Sequence, residues 1–266
     1  MLTAYDAQVR TAIASRPPAG VTIDRDGPLV RCSGGFQGFV NYRDLAGVEG
    51  DDLQALIDRT VAHYRARGES FEWKTHSHDL PADLTHRLLA AGFVPEERET
   101  VVVAQATRMA TDPVLPTGVA LREVVGSDDL RRIAAMETEV WGDKSRDWLA
   151  DDLAARIEAG PDEITVLVAE AGDLVVSAAW LVRNPGTEFA GLWGGATLAA
   201  WRGQGIYKAL IARRAQLAVA DGVHYLQVDA SEASRPILER LGFTPITTTT
   251  PYIWTPQPVS FPLSSA

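Results

Sequence analysis

Trp201-Arg202-Gly203-Gln204-Gly205-Ile206-Tyr207-Lys208 stands between a strand-like run that carries two adjacent glycines, Gly194 and Gly195, and an amphipathic helical run. A loop of this kind turns successive backbone N–H groups inward to form a concave nest, and the helix that follows adds its own free donors and positive dipole end. The pattern predicts a seat for a pyrophosphate. Gly203 and Gly205 let the backbone take unusual dihedrals and let phosphate oxygens approach with no Cβ in the way. Taken alone, so short a motif reads equally well as a plain strand-to-helix turn. It lacks the Gly-Lys-Ser/Thr end of a nucleotide P-loop and the third glycine of the dinucleotide fingerprint, so its surroundings have to decide.

Those surroundings alternate. Downstream, Gly205 to Asp221 is helical, with Ile206, Ala209, Leu210, Leu217 and Ala220 on one face and Gly222 as the stop. A strand at Tyr225–Ala230, a short helix at Pro236–Leu241, Gly242-Phe243 and a strand near Thr248–Trp254 follow. Upstream, Phe189–Leu198 reads as a strand, and its Gly194-Gly195 pair marks a bulge or the close approach of another backbone. Before it, Ile164–Glu170 and Leu174–Val182 flank a Gly172-Asp173 turn as an antiparallel hairpin. Earlier still come a strand at Val119–Val124, a helix opened by Ser127 and Asp128, and a second helix at Arg146–Ala159. The first helix puts Leu130, Ile133, Ala134, Glu137 and Trp141 on one face.

At the loop the sequence resembles the GNAT N-acetyltransferase superfamily, whose signature is Arg or Gln, two residues, Gly, one residue, then Gly or Ala. Arg202, Gly205 and Tyr207 take those places, so the last departs from the pattern, and a large ring there bears on where the cofactor's second phosphate and pantetheine arm sit. The resemblance covers roughly Val119 to Trp254, and Leu241-Gly242-Phe243 is similar to the family's closing element. It implies an α/β (α+β) GNAT fold, a mixed and mostly antiparallel central sheet flanked by helices. It also implies acetyl-CoA as co-substrate, with its pyrophosphate on Arg202, Gly203, Gln204, Gly205, Ile206, Tyr207 and Lys208 and its pantetheine along Gly195, Ala196 and Thr197. In the family the strand holding those residues and the next one splay apart, and the cofactor supplies partners for the exposed strand N–H groups.

The reaction implied is direct attack of an acceptor amine on the acetyl thioester. It needs a deprotonated amine, a donor to the oxyanion and a proton for the leaving thiolate. The backbone N–H near Thr197 is the oxyanion candidate. Glu137, on an otherwise apolar helix face, is the first candidate base, since desolvation raises a carboxylate's pKa. The plain alternative is a half-exposed or arginine-paired side chain. Asp229 is second and Glu188 third. Many family members carry a tyrosine four residues before the Gly-Phe pair, where this chain has Leu238; Tyr252, Tyr207 or water is left as the acid. Ser231 and Ser234 stand where the family holds pantetheine with an asparagine, and otherwise read as helix caps. Trp141, Trp180 and Trp193 either line an apolar cleft or fill the core, and core is the expectation for at least two. Because of Leu238 and Tyr207, a non-catalytic acyl-CoA-binding or regulatory module is the competing function.

The N-terminal half repeats part of this grammar. Asp51–Arg67 reads as a helix, Phe71–Thr75 as a strand, Pro81–Ala91 as a helix, and Gly92-Phe93 leads into a strand at Thr100–Val103. Val21–Arg31 and Gly38–Arg43 offer further strands. The expected organisation is a degenerate, truncated GNAT-like domain over 1–110, a Pro/Gly linker over 111–118, a GNAT domain over 119–258 and a tail over 259–266. Where the copy's glycine loop belongs, Gly47-Val48-Glu49-Gly50-Asp51-Asp52 sets three carboxylates at the phosphate seat, so no cofactor is expected there. His76, His78 and His86 lack the companions of a metal site and are expected to be surface or capping residues, with no metal bound.

Composition bounds the rest. With 266 residues, 46% of them hydrophobic, the chain can bury the cores of two modest domains. A formal net charge of −10 and a pI near 5.0 argue against a nucleic-acid partner, which rewards a basic face. A single cysteine, Cys32, makes no internal disulfide, and no apolar run approaches the roughly 20 residues that span a bilayer. A cytoplasmic protein without membrane attachment is expected. Its partners would be a small-molecule amine or a protein amino group as acceptor, with a homodimer left open.

Overall fold

The computed structural model describes residues 1–124, 126–142 and 146–256. By its contacts the chain divides into two compact units, Met1–Val21 with Arg98–Thr249, and Thr22–Glu97 with the chain from Thr250. The expected division at 111–118 thus falls inside the first unit. Residues 1–21 join that unit because Tyr5 of α1 (Leu2–Gln8) is buried with Val101, Val103 and Phe189, and because the Ser15 N–H donates to Glu163 at 3.1 Å.

In the first unit the elements after α1 are β6 (Glu99–Gln105), α4 (Ala106–Met109), β7 (Val119–Val124), α5 (Ser127–Trp141), α6 (Asp147–Ala159), β8 (Ile164–Ala171), β9 (Leu174–Arg183), β10 (Phe189–Thr197), α7 (Ile206–Ala220), β11 (Tyr225–Ala230), α8 (Arg235–Leu241) and the start of β12 (Thr244–Trp254). Strand order is β12-β6-β11-β10-β9-β8-β7. All neighbours are antiparallel except β10 and β11, which run parallel. Period-two alternation sends Val166, Val168, Ala178 and Trp180 to the face covered by α5 and α6. Leu167, Ala169, Val176 and Ala179 go to the other face, under α7. Thr100–Val103, expected to close the N-terminal copy, instead lies in β6 between β11 and β12. The final strand starts at Thr244, earlier than the expected Thr248. Its Pro245 sits where the register shifts by a residue, the place a strand tolerates a missing N–H.

The second unit holds β1 (Thr22–Asp26), β2 (Leu29–Ser33), β3 (Gly38–Asn41), α2 (Gly50–Arg67), β4 (Phe71–His76), α3 (Leu84–Ala90), β5 (Val94–Pro95) and the end of β12. Its order is β1-β2-β3-β4-β12, with β5 also on β12. Phe71, Trp73, Phe93, Tyr252 and Trp254 anchor its core.

The two units repeat one another locally. In each, a parallel strand pair flanking one helix is joined over three registers only, Gly38–Val40 with Phe71–Trp73 and Phe189–Gly191 with Tyr225–Gln227. In each, the next helix stops at a glycine with φ of 91° or 106°, after which Phe93 N–H donates to Leu88 O and Phe243 N–H to Leu238 O, both at 3.1 Å. That is a left-handed C-cap in which only glycine escapes a Cβ penalty.

Leu88 and Leu238 are both fully buried at these equivalent corners. Leu88→Ala and Leu238→Ala should each lower stability by about 2–5 kcal/mol, read as a lower urea midpoint. A change under about 1 kcal/mol at either site would contradict the packing described.

Candidate functional site

β10 keeps β9 beside it from Ala190 to Thr197, but loses β11 after Gly191. At Gly194 and Gly195, with φ of 70° and 86°, the β9 register shifts and the strand bulges. Beyond the bulge, Leu198 N–H donates to Val176 O at 3.0 Å. Alternation along the strand then points the N–H of Thr197 away from β9, toward the side that β11 has vacated. Thr197 O, on that side, accepts from Arg202 Nε at 2.9 Å, which ties the loop to the strand end. The Thr197 hydroxyl is buried and lies 2.8 Å from Ser177 Oγ, whose own proton goes to Ala196 O at 2.6 Å.

Arg202 to Gly205 form an exposed loop. Gly203 and Gly205 have φ of 75° and 87°, so dihedral demand fixes them as glycine. Gly205 is the N-cap of α7 and has no side chain to lay over it; the first helical bond runs from Ala209 N–H to Gly205 O at 3.0 Å. The N–H groups of Ile206, Tyr207 and Lys208 therefore face out of the helix end uncapped, at the positive end of its dipole. Gln204 is turned back onto Ala200 O at 3.1 Å, Ile206 is buried, and Lys208 is exposed. The arrangement suits an anion bound by backbone groups.

Tyr207 does not reach across this mouth. Its ring lies against Gly195, where a Cβ would come within 2.7 Å of Cε2, and it packs with Ile211, Ala190 and Leu192 on the α7 face. Burial raises its phenol pKa, with the charge of Arg214 acting the other way. One turn further along that stripe, Arg214 is only 2% exposed. Its guanidinium donates to Leu210 O at 3.1 Å, Trp180 O at 3.2 Å and Trp193 O at 3.1 Å. Burial pulls it down to about 10, which leaves it charged at neutral pH. Burying such a charge without a carboxylate costs several kcal/mol, so carbonyl dipoles have to offset it. Sequence reading missed Arg214; the available signal was its i+7 spacing from Tyr207 on an apolar helix face. Of the face expected for this helix, Ala220 is exposed and Leu217 half-buried.

On the opposite face, Glu137 is 4% exposed. Trp141 Nε1 donates to its Oε2 at 2.7 Å, and Oε1 has no partner among the described residues. Burial raises its pKa, against the smaller lowering effects of the Trp141 hydrogen bond and the Arg146 charge. Asp229 shares a strand side with Gln227, whose Nε2 donates to Asp229 Oδ1 at 2.6 Å, beside the parting of β10 and β11. Glu188 sits at the other, paired end of β10 and is held by Gln8 and His224. Of the three tryptophans only Trp180 is core; Trp141 and Trp193 are 56% and 45% exposed, against the expectation of two buried. They stand on α5 and β10, where the chain turns toward solvent.

Ser231 and Ser234 engage each other at 3.2 Å, and Ser231 Oγ accepts from Ser234 N–H at 3.3 Å, the geometry of a helix start. Leu238 fills the core against Phe243. Tyr252 lies in the other unit, buried in its aromatic core, apart from the residues the first unit brings together. Glu49, Asp51 and Asp52 are exposed at the start of α2. The described residues contain no group of three or more metal-ligating side chains and no helix long and apolar enough to cross a membrane.

Residues 130–243 match the acetyltransferase (GNAT) family model. A GCN5-related N-acetyltransferase from Kribbella flavida superposes with TM-score 0.65 at 16% identity, over 90% of this chain and 91% of that one. A tandem GNAT protein from the clavulanic acid biosynthesis pathway, solved without acetyl-CoA, gives 0.63 at 13% identity, over 91% and 86%. A GCN5-related N-acetyltransferase from Sphaerobacter thermophilus gives 0.58 at 14%, over 90% and 76%. At these identities the likeness is one of fold. Curated proteins gave no match.

Because the folded state holds the Glu137 proton above the usual 4.5, its contribution to stability is present at low pH and lost as pH rises through the raised pKa. Glu137→Gln removes that loss. Its Tm advantage over the parent should grow between about pH 4 and about pH 8. An advantage independent of pH would mean the carboxylate is solvated.

Proposed function

We propose that the GNAT domain transfers an acetyl group from acetyl-CoA to an amine of a small molecule or protein. The observation that carries this reading is the parting of β10 from β11 directly beside an uncapped, glycine-opened helix. One feature offers strand N–H groups that need a partner, and the other offers an anion seat at the same strand's end. The residues fit a pantetheine diphosphate, since the loop lacks side chains that would fill the cradle and Tyr207 is folded away from it.

When bound, acetyl-CoA supplies a thioester whose carbonyl carbon the amine attacks, forming a C–N bond as the C–S bond breaks. The backbone of Gly203 to Lys208 binds phosphate, with Lys208 as an exposed cation. Thr197 N–H, aimed to the vacated side, is the donor placed for the oxyanion. Glu137 takes the amine proton, being a buried carboxylate with one oxygen unused among the described residues. Asp229 stands second for that role, and water returns a proton to sulfur where Leu238 replaces the family's tyrosine. The second unit, with carboxylates at the start of α2, is read as a copy that has lost the anion seat. A binding-only module is the alternative that Leu238 favours, because it leaves no side-chain acid in its corner.

Calorimetry should find coenzyme A binding to the intact protein, and Gly205→Val should weaken it by at least about tenfold, since a β-branched residue resists φ near 87°. A thiol-release assay over an amine panel should find turnover that Glu137→Gln reduces by about 10²-fold or more. Binding with no turnover for any amine selects the binding-only module. No binding removes both readings.

A further inference from the structure

Arg214 has more structural expense than packing requires. A leucine or methionine on that stripe of α7 would fill the space between the helix and the sheet without a buried charge. The arginine instead carries its guanidinium to two adjacent strands, β9 through Trp180 O and β10 through Trp193 O. Those two residues face each other in the ladder, and Trp193 is the residue immediately before the bulge glycines. The same bulge is covered on the α7 face by the Tyr207 ring against Gly195. Helix α7 thus opens with the anion seat and, two turns later, clamps the bulged strand whose end leads into that seat. The clamp leaves a fixed positive charge at the peptide joining Trp193 to Gly194, inside the sheet, where solvent screens it little.

We propose that Arg214 is a positioning residue for the acyl end of the site, bracing the β10 bulge and holding positive potential under Gly194 and Gly195, so that negative charge on the coenzyme's sulfur is favoured. The inference rests on the acyl-CoA reading above, in which phosphates sit at Gly203–Lys208 and pantetheine runs back along β10 toward the bulge. It also accounts for the loss of a tyrosine at position 238. A leaving thiolate already favoured by a nearby cation has less need of a side-chain acid and can take its proton from water. In the step itself the amine's proton goes to Glu137, the C–S electron pair stays on sulfur, and Arg214 neither gains nor loses a proton.

Coenzyme A and its desulfo analogue, compared by calorimetry, separate this role from scaffolding. Tyr207 is the titratable group beside Arg214. Glu137 on α5, Asp229 on β11, and Arg202 and Lys208 at the loop are the other charged groups flanking this end of β10, while Arg213 is turned to Glu123. With the parent protein, the preference for coenzyme A over the desulfo analogue should rise by about threefold or more between about pH 6.5 and about pH 8.5, because the bound thiol ionises at lower pH than the free one. Glu137→Gln should keep that rise. Arg214→Lys should keep most of it, and Arg214→Met should abolish it while still binding the desulfo analogue. A flat preference in the parent overturns the inference without touching the acyl-CoA reading, and so does a rise that survives in Arg214→Met. Equal loss of both ligands in a folded Arg214→Met makes the residue a scaffold only. Should Arg214→Met fail to fold, the parent and Arg214→Lys still decide. If the parent binds neither ligand, the acyl-CoA reading falls and this inference falls with it.

Discussion

Parallel pairing between β10 and β11 that stops after three residues is the constraint from which the rest of the first unit follows. A strand inside a sheet that loses one neighbour must find other partners for its N–H and C=O groups, or leave them to a ligand or water. On the β9 side the ladder continues, with the Ser177 hydroxyl adding a bond to Ala196 O. On the vacated side Arg202 takes Thr197 O, and the neighbouring N–H stays turned to the gap. The glycine bulge, the open loop and the uncapped helix all lie along this one edge. None of them requires a reactive side chain, which is how a site can be built almost wholly from backbone.

The second unit closes a similar parting of parallel strands with its own side chains. β3 and β4 also separate after three registers, yet Asp79 fills the far end with its carboxylate, accepting from the Tyr42 hydroxyl at 2.6 Å and from His76 N–H at 2.7 Å. The helix between them also starts at a positive-φ glycine, Gly50, but Glu49, Asp51 and Asp52 stand around it. Those carboxylates suit the positive helix end and repel a second anion. The two partings thus differ at the strand end, where Asp79 serves the second unit and Arg202 the first.

Local elements were legible because period and punctuation agree along most of the chain. The Gly172-Asp173 hairpin, the helix opened at Ser127 and the Gly-Phe corners after both short helices stand where the pattern puts them. Glycine was the readable part of the candidate site, since its positive φ values are a backbone demand that no other residue meets cheaply. Partner choice was not legible. That Thr100–Val103 pairs with β11 and β12 depends on sheet neighbours distant in sequence, and alternation in a short strand is silent about which edge it joins. Pro245 hid the first residues of β12. Tyr207 and Arg214 were misjudged or missed because large and charged residues on an apolar stripe read as exceptions until the strand groups they serve are known. The tryptophans misled for the opposite reason: size suggests core, while Trp141 and Trp193 sit where a helix ends and a strand leaves its neighbour.

The asymmetry between the two halves of the site has a physical origin. A diphosphate and an amide-bearing arm present the same charges and hydrogen-bonding groups whatever the acceptor, so backbone N–H groups suffice and glycine spacing records them. An acceptor amine is met by side chains whose identity is free to change with the substrate. In the function proposed above, those are Glu137, its indole donor Trp141 and the Gln227–Asp229 pair. Glu137 is the costliest member of that set, a buried carboxylate with one oxygen unsatisfied among the described residues. Burial raises its proton affinity, and the Trp141 hydrogen bond acts the other way. Arg214, the buried cation, lies across the sheet from it on α7, so the two groups do not pair. In the proposed reading, a carboxyl on one face and a cation on the other give the polarity an amine-to-thioester transfer requires.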